Sequence, residues 1–244
     1  MTKLTTPEFW DKAYENVDFK LLPHENPIRS WIEKYVEKTE DAKTALEIGC
    51  YPGRYIEVLG ALGYNLNGLD FNDNLPQLKN WLQSLGHSVD SFDQVDFFNY
   101  KTEEKFDIVC SFGFIEHFSN WEDVLKTHMK FVKKDGYLII EVPNFRGALQ
   151  YLLHFFLDNE NLKKHHLPSM NPKKWKSIVT EAGFEIFFCD YMETFQFWHN
   201  NNTPKRWQTK SLKFISKKQK MISSLFSKPN SVSSPYIGLI AKKI

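Results

Sequence analysis

Long apolar runs are missing from this chain. No stretch approaches the roughly 18 to 20 residues of a membrane-spanning helix, and the opening MTKLTTPEFW lacks the apolar core of a secretion signal. Cysteine is scarce: Cys50, Cys110 and Cys189 are odd in number and far apart. That spacing excludes a disulfide framework and a metal knuckle, and it predicts a reducing, cytoplasmic setting. No internal repeat or low-complexity linker divides the 244 residues, so one domain over 1–244 is expected. Acidic residues are absent after Glu193, where ten basic ones follow, so a net charge of +1 conceals a tail of +10 and a remainder of −9. A solvated basic face is one reading of that tail, and attraction to an anionic partner is the other.

Aromatics are plentiful, at 16% with 21 phenylalanines, enough for a large core and an apolar pocket. Helix starts are written as cap plus proline: Thr6-Pro7, Asn26-Pro27 and Asn171-Pro172. Two N-terminal helices are expected within 6–38. Apolar strand-like runs then alternate with helical ones: TALEIG, GRYIEVLGALG, YNLNGLD, NLPQLKNWLQSLG, SVDSFDQVDFF, FDIVCSF, NWEDVLKTHMKFVKK and GYLIIEVPN. The helical NPKKWKSIVTEAG and the strands FEIFFCDY and SPYIGLIAKK close the chain. This order predicts an α/β doubly wound sheet, mostly parallel, with helices on both faces.

One turn carries the chemistry. In LEIGCYPGRY an apolar strand ends at Glu47 and Gly49, and Gly53 opens a helix. Glycines there admit positive φ and close approach of the backbone to a ligand. The dinucleotide pattern G-x-G-x-x-G and the P-loop are both absent. S-adenosylmethionine fits better: its ammonium wants an acid beside the glycines, and its ribose wants one at the end of the next strand, where Asp70 stands.

The ordered set of motifs resembles the class I S-adenosylmethionine-dependent methyltransferases, in particular the ubiquinone- and menaquinone-pathway group. LEIGCYPGRY is similar to the first motif and GYNLNGLD to the second. VDFFNYKTEEKFDIVCSFGFIEHF matches the third and fourth, VKKDGYLIIEVPN the following strand, and HHLPSMNPKKWKSIVTEAGFEI the last helix and strand. NPIRSWI resembles the N-terminal helix whose arginine reaches the cofactor carboxylate. The family's sheet has seven strands, the last antiparallel. The resemblance assigns Gly49 and Gly53 to the turn, Glu47 to orienting the turn or the ammonium, Arg29 to the carboxylate and Asp70 to the ribose. It places Phe71 beside the adenine, Asp96 on its amino group with Phe97 next to it, and Ser111, Phe112 and Ile115 under the methionine part. The family's middle glycine is Tyr51 here, followed by Pro52, which removes one N–H from the turn.

For the acceptor side, His117 is the candidate base, with Glu116 to orient it, and His166 holds the family's histidine position before the Asn171 helix. Phe112 and Gly113 stand where metal-dependent relatives are carboxylate-rich, so no metal ligand is expected. The insertion at about 145–168 contains YLLHFFL, read as a buried helix: a lid over an apolar or aromatic acceptor, a dimer face or a patch for peripheral membrane contact. The expected partner is a small-molecule methyl acceptor. No N-P-P-Y motif or basic domain favours nucleic acid, and monomer and homodimer remain open. The alternative function is a non-catalytic protein of the same fold that binds an anionic partner through its basic tail.

Overall fold

A computed structural model describes residues 3–15 and 17–244. Residue 16, within the helical stretch expected over 6–38, lies outside the described residues. Seven strands form one sheet in the order β3-β2-β1-β4-β5-β7-β6. They are β1 (Thr44–Ile48), β2 (Asn65–Asp70), β3 (Val89–Gln94), β4 (Phe106–Phe112), β5 (Val132–Pro143), β6 (Phe184–Met192) and β7 (Tyr236–Lys243). All pairings are parallel except those of β7, which runs antiparallel to both β5 and β6. The strand order reverses between β1 and β4, so the connections leaving their carboxyl ends diverge there, which is where sheets of this kind form a ligand crevice.

The helices begin where the capping residues stand. The Asn26 side chain accepts from the N–H groups of Ile28 and Arg29 and starts α2 (Pro27–Tyr35), and Asn171 accepts from Lys174 at the start of α8 (Pro172–Glu181). Thr6 does the same for α1 (Pro7–Tyr14). Helices α2, α3 (Ile56–Ala61) and α4 (Leu75–Ser84) bury Ile32, Ile56, Leu59 and Leu78 on one face of the sheet. Helices α5 (Trp121–Lys130) and α8 bury Val124, Leu125, Trp175 and Val179 on the other. β5 starts earlier than the expected GYLIIEVPN, because Val132 already pairs with Phe106.

The insertion folds as α6 (Ala148–Leu157) and the short α7 (Asn159–Leu162). The expectation of a fully buried apolar helix is corrected here. Leu152, Phe155 and Phe156 are 52%, 46% and 56% exposed, because α6 lies at the margin of the fold and only one side of it finds packing partners. The basic segment, for which no element was foreseen, forms α9 (Arg206–Ser223). Its Leu212 and Ile215 pack with Leu157 and Phe195. Lysines at almost every other turn position obscured that apolar stripe in the sequence.

His128, on α5, is fully buried, and its Nδ1 lies 2.8 Å from the Val124 carbonyl, while Nε2 has no partner among the described residues. Burial pushes its pKa down to about 4 from 6.5. The native state therefore holds it neutral, and its contribution to stability is complete above pH 6.5 and is lost as pH falls toward 4. Urea titrations at pH 7 and 5 should show His128→Leu losing about 2 kcal/mol less than the unsubstituted protein on acidification. Equal losses would mean that the buried ring takes up a proton without penalty.

Candidate functional site

The crevice is built from the carboxyl ends of β1, β2, β4 and β5. After β1 the chain turns through Gly49 (φ 75°) and Gly53 (φ 85°), a left-handed conformation that glycine adopts without strain. A Cβ on Gly49 would fall 2.6 Å from the Phe114 ring, so the glycine also lets that ring close on the turn. The turn is tied to β2: the Gly49 N–H donates to the Leu69 carbonyl at 2.7 Å, and the Tyr51 N–H donates to Asp70 Oδ2 at 3.0 Å. Asp70 Oδ1 accepts from the Asn72 N–H at 3.1 Å. One carboxylate at the end of β2 thus fixes two loops at once.

The Tyr51 side chain packs against the N-terminal segment. Its ring is 6% exposed and packs edge-on against Tyr14 (5.4 Å between centroids) and Phe19 (5.9 Å). An aromatic residue stands in a glycine-rich turn because the N-terminal segment supplies an apolar slot for it. Burial, and then the neighbouring Asp70 charge, raise the Tyr14 hydroxyl above its ordinary pKa.

Three acids line the crevice with little solvent. Glu47 pairs in register with Cys110 of β4, and Glu141 of β5 pairs with Phe112. Glu47, Glu116 and Glu141 are all at least 96% buried. Glu47 accepts from the Ile56 N–H at the start of α3, but its Oε2 has no hydrogen-bond partner among the described residues. Both Glu116 oxygens and the Ser111 hydroxyl are likewise unpartnered. Burial raises Glu47 and Glu116 well above the usual carboxylate range and pushes Glu141 up to about 8. Such a site keeps its carboxyls protonated until a cation or a hydrogen-bond donor enters.

At the mouth of β4 stands a second cluster. His117 Nδ1 lies 2.8 Å from the Lys164 carbonyl, and His165 Nδ1 lies 2.7 Å from the Asn161 carbonyl. Donation through Nδ1 makes Nε2 the acceptor nitrogen of each neutral ring, and the Gly113 backbone is a further hydrogen-bond neighbour of His117. Those Nε2 atoms lie 3.7 and 4.0 Å from Glu116 Oε1, and the two rings are 4.7 Å apart. Burial lowers His117 to about 4 and His165 well below its ordinary value, so both rings are neutral near pH 7. Two neutral imidazoles and a carboxylate, with ligand atoms within 4.8 Å of one another, form a donor set able to hold a divalent cation, although no metal ligand was foreseen. Trp10 of α1 covers His117 (5.0 Å) and Phe145 packs on His165 (4.6 Å), so the cluster has aromatic walls.

The foreseen residues divide accordingly. Gly49, Gly53, Glu47, Asp70, Ser111, Phe112, Ile115 and His117 share this edge of the sheet, with Phe112 stacked on Tyr55 at 4.4 Å. Half-buried Phe71 follows Asp70, and Phe97 meets Phe114 edge-on at 5.5 Å. Arg29 is engaged elsewhere: its Nε donates to Glu33 at 2.8 Å, its Nη1 to the Leu22 carbonyl at 3.0 Å, and Glu57 lies 3.6 Å away. Asp96 pairs with Lys3 and accepts from the Phe98 N–H. His166 is replaced in the cluster by its neighbour. Its backbone N–H donates to the Glu116 carbonyl at 2.7 Å, and that bond brings the ring of His165, not its own, to His117. The His-His doublet left this choice open in the sequence. Glu141 was overlooked, yet it interrupts the apolar LIIEVP much as Glu47 interrupts ALEI.

A family model described as a methyltransferase domain matches residues 23–187. The chain belongs to that family. Among curated relatives, the ubiquinone biosynthesis O-methyltransferase of Hydrogenovibrio crunogenus is 28% identical over 188 residues, covering 72% of this chain and 74% of the relative. That of Paraburkholderia xenovorans is 30% identical over 156 residues, covering 59% of this chain and 61% of its own length. An S-adenosylmethionine-dependent methyltransferase from Archaeoglobus fulgidus superposes with a TM-score of 0.57 at 18% identity, covering 96% of this chain and 98% of that one. The magnesium protoporphyrin IX methyltransferase of Synechocystis, solved with bound S-adenosylmethionine, superposes with a TM-score of 0.54 at 12% identity, covering 96% and 89%. These structures share the Rossmann-like methyltransferase fold with this chain. The site of the methyltransferase domain fits such a cofactor on its own terms. The unpartnered Oε2 of buried Glu47 suits an ammonium, and three desolvated carboxyls suit a molecule carrying two positive centres.

Proposed function

We propose that this chain is an S-adenosylmethionine-dependent methyltransferase acting on a hydroxyl group of a small apolar or aromatic acceptor. The observation that carries the reading is the pair of adjoining clusters. An acid-lined crevice at β1 and β2 adjoins a Glu116–His117–His165 group walled by Trp10 and Phe145. Glu47 would hold the ammonium and Asp70 the ribose hydroxyls, while Phe97 and Phe114 supply apolar surface for the base. The bound cofactor supplies an activated methyl on a sulfonium. The protein aligns the acceptor with it and keeps water out. An oxygen nucleophile also needs its proton removed, and neutral His117, oriented through Nδ1 by the Lys164 carbonyl, offers Nε2 for that purpose. Ionised Glu116 beside it would stabilise the resulting imidazolium. A divalent cation, if held by Glu116, His117 and His165, would act instead by lowering the pKa of the acceptor hydroxyl.

Transfer of label from methyl-tritiated S-adenosylmethionine to a panel of phenols, catechols and aliphatic alcohols tests this reading. Labelled ether products support it. Labelling confined to amines or thiols, or none at all with cofactor binding intact, overturns it.

The carboxyls add a linkage. Glu47 has a raised pKa in the free protein, and an ammonium beside it would draw that pKa back down. Cofactor binding near neutral pH should therefore release up to one proton, and affinity should rise with pH. Isothermal titration in buffers of different ionisation enthalpy reads this directly as a slope, which Glu47→Gln should flatten. A zero slope in the unsubstituted protein would contradict an ammonium on Glu47.

A further inference from the structure

Helix α9 has two apolar stripes, and only one has a partner. Leu212 and Ile215 face inward against Leu157 and Phe195. Trp207, Phe214 and Met221 recur every seven residues, which places them on one line of the helix, and they are 51%, 60% and 51% exposed. Beside this line lies the outer side of α6, with Leu152, Phe155 and Phe156 exposed. A groove of about 570 Å³ runs between the two helices, lined by Leu152, Phe156, Trp207 and Phe214, with Lys210 at its edge. Lys205, Lys210, Lys213, Lys217 and Lys220 are all exposed along α9, and no acid occurs after Glu193 to neutralise them. The acid on neighbouring α7, Glu160, is already paired with Lys163.

We propose that the α6–α9 face docks on a bilayer containing anionic phospholipids. Charge complementarity selects this occupant. A second copy of the chain, docked α9 to α9, would bring two lysine rows together. A nucleic acid would satisfy the lysines but leave the aliphatic surface of Leu152 and Met221 in water. A bilayer surface takes both parts: aromatic and aliphatic side chains enter the acyl boundary while the flanking lysines meet lipid phosphates. Among the described residues no helix is long and apolar enough to cross a membrane, so the helices would lie along the surface. The groove could receive part of an acyl chain, with Lys210 at the phosphate level. The proposal does not depend on the chemistry at the crevice: its residues are the exposed ones of α6 and α9, and none of them belongs to the Glu116–His117–His165 group.

The test is flotation of the full chain with phosphatidylcholine vesicles, with and without phosphatidylglycerol, across a salt series. Binding is expected only with phosphatidylglycerol and is expected to weaken with salt. Replacing Lys210, Lys213 and Lys217 together with glutamine should lower the partition coefficient about a hundredfold, at about fivefold for each lysine near the surface. Phe156→Ser with Phe214→Ser should also abolish binding, with the thermal midpoint and the affinity for S-adenosylhomocysteine unchanged because both residues are exposed. Several results would overturn the proposal: no binding to either vesicle, equal binding to both, or variants that bind as well as the parent. So would a dimer that Phe214→Ser converts to monomer, or oligonucleotide binding without vesicle binding. Loss of S-adenosylhomocysteine binding in the unsubstituted protein would instead count against the proposed methyl transfer and leave the vesicle result standing.

Discussion

Replacing Asp70 with alanine is expected to weaken S-adenosylhomocysteine binding by at least about a hundredfold, since hydrogen bonds to a charged group contribute about 1.5–3 kcal/mol each. Two losses combine. The ribose hydroxyls lose their acceptor, and the amides of Tyr51 and Asn72 lose the carboxylate that ties both loops to the end of β2. Asp70→Asn separates them, because its amide oxygen can still accept one of those N–H groups while the ligand faces a neutral side chain. Isothermal titration should rank the proteins as Asp, then Asn, then Ala. An alanine variant that binds as tightly as the parent would remove Asp70 from the site.

The second large effect concerns the acceptor side. With an alcohol or phenol that the protein methylates, His117→Ala should lower kcat by about 10²- to 10⁴-fold, the usual range for losing a positioned base. Affinity for S-adenosylhomocysteine should stay unchanged. Glu116→Gln should act in the same direction and change the pH profile as well. Burial holds Glu116 protonated above the usual carboxylate range, so the parent's rate should rise with pH as that carboxyl ionises. The glutamine variant should lose that rise. Unaltered turnover in His117→Ala would dismiss the imidazole as the base. A pH profile that Glu116→Gln leaves intact would dismiss the carboxyl as its partner.

Much of the fold can be read directly from the chain. TALEIG, FDIVCSF and NPKKWKSIVTEAG become β1, β4 and α8 with nearly the expected bounds, because each has an apolar period of its own and a cap or glycine at its end. The elements that escaped are those whose character depends on neighbours. α6 reads as an apolar helix yet packs inward through Gln150, His154 and Leu157 and leaves its phenylalanines exposed, and α9 hides Leu212 and Ile215 among lysines. In the site, Glu47 and Asp70 are legible because an acid that ends an apolar strand is costly and local. His165 is not, since its place beside His117 follows from a backbone bond between His166 and Glu116, residues distant in sequence. The role of Tyr51 is similarly hidden. Only the packing of Tyr14 and Phe19 around it shows why an aromatic residue can stand in a glycine's place.

A crystal structure with S-adenosylhomocysteine decides whether one cofactor nucleoside is held between the ends of β1 and β2. The nucleoside hydroxyls are expected on Asp70, the amino group on Glu47 Oε2, and the sulfur turned toward His117. Ligand bound elsewhere, or none at this edge of the sheet at saturating concentration, would contradict it.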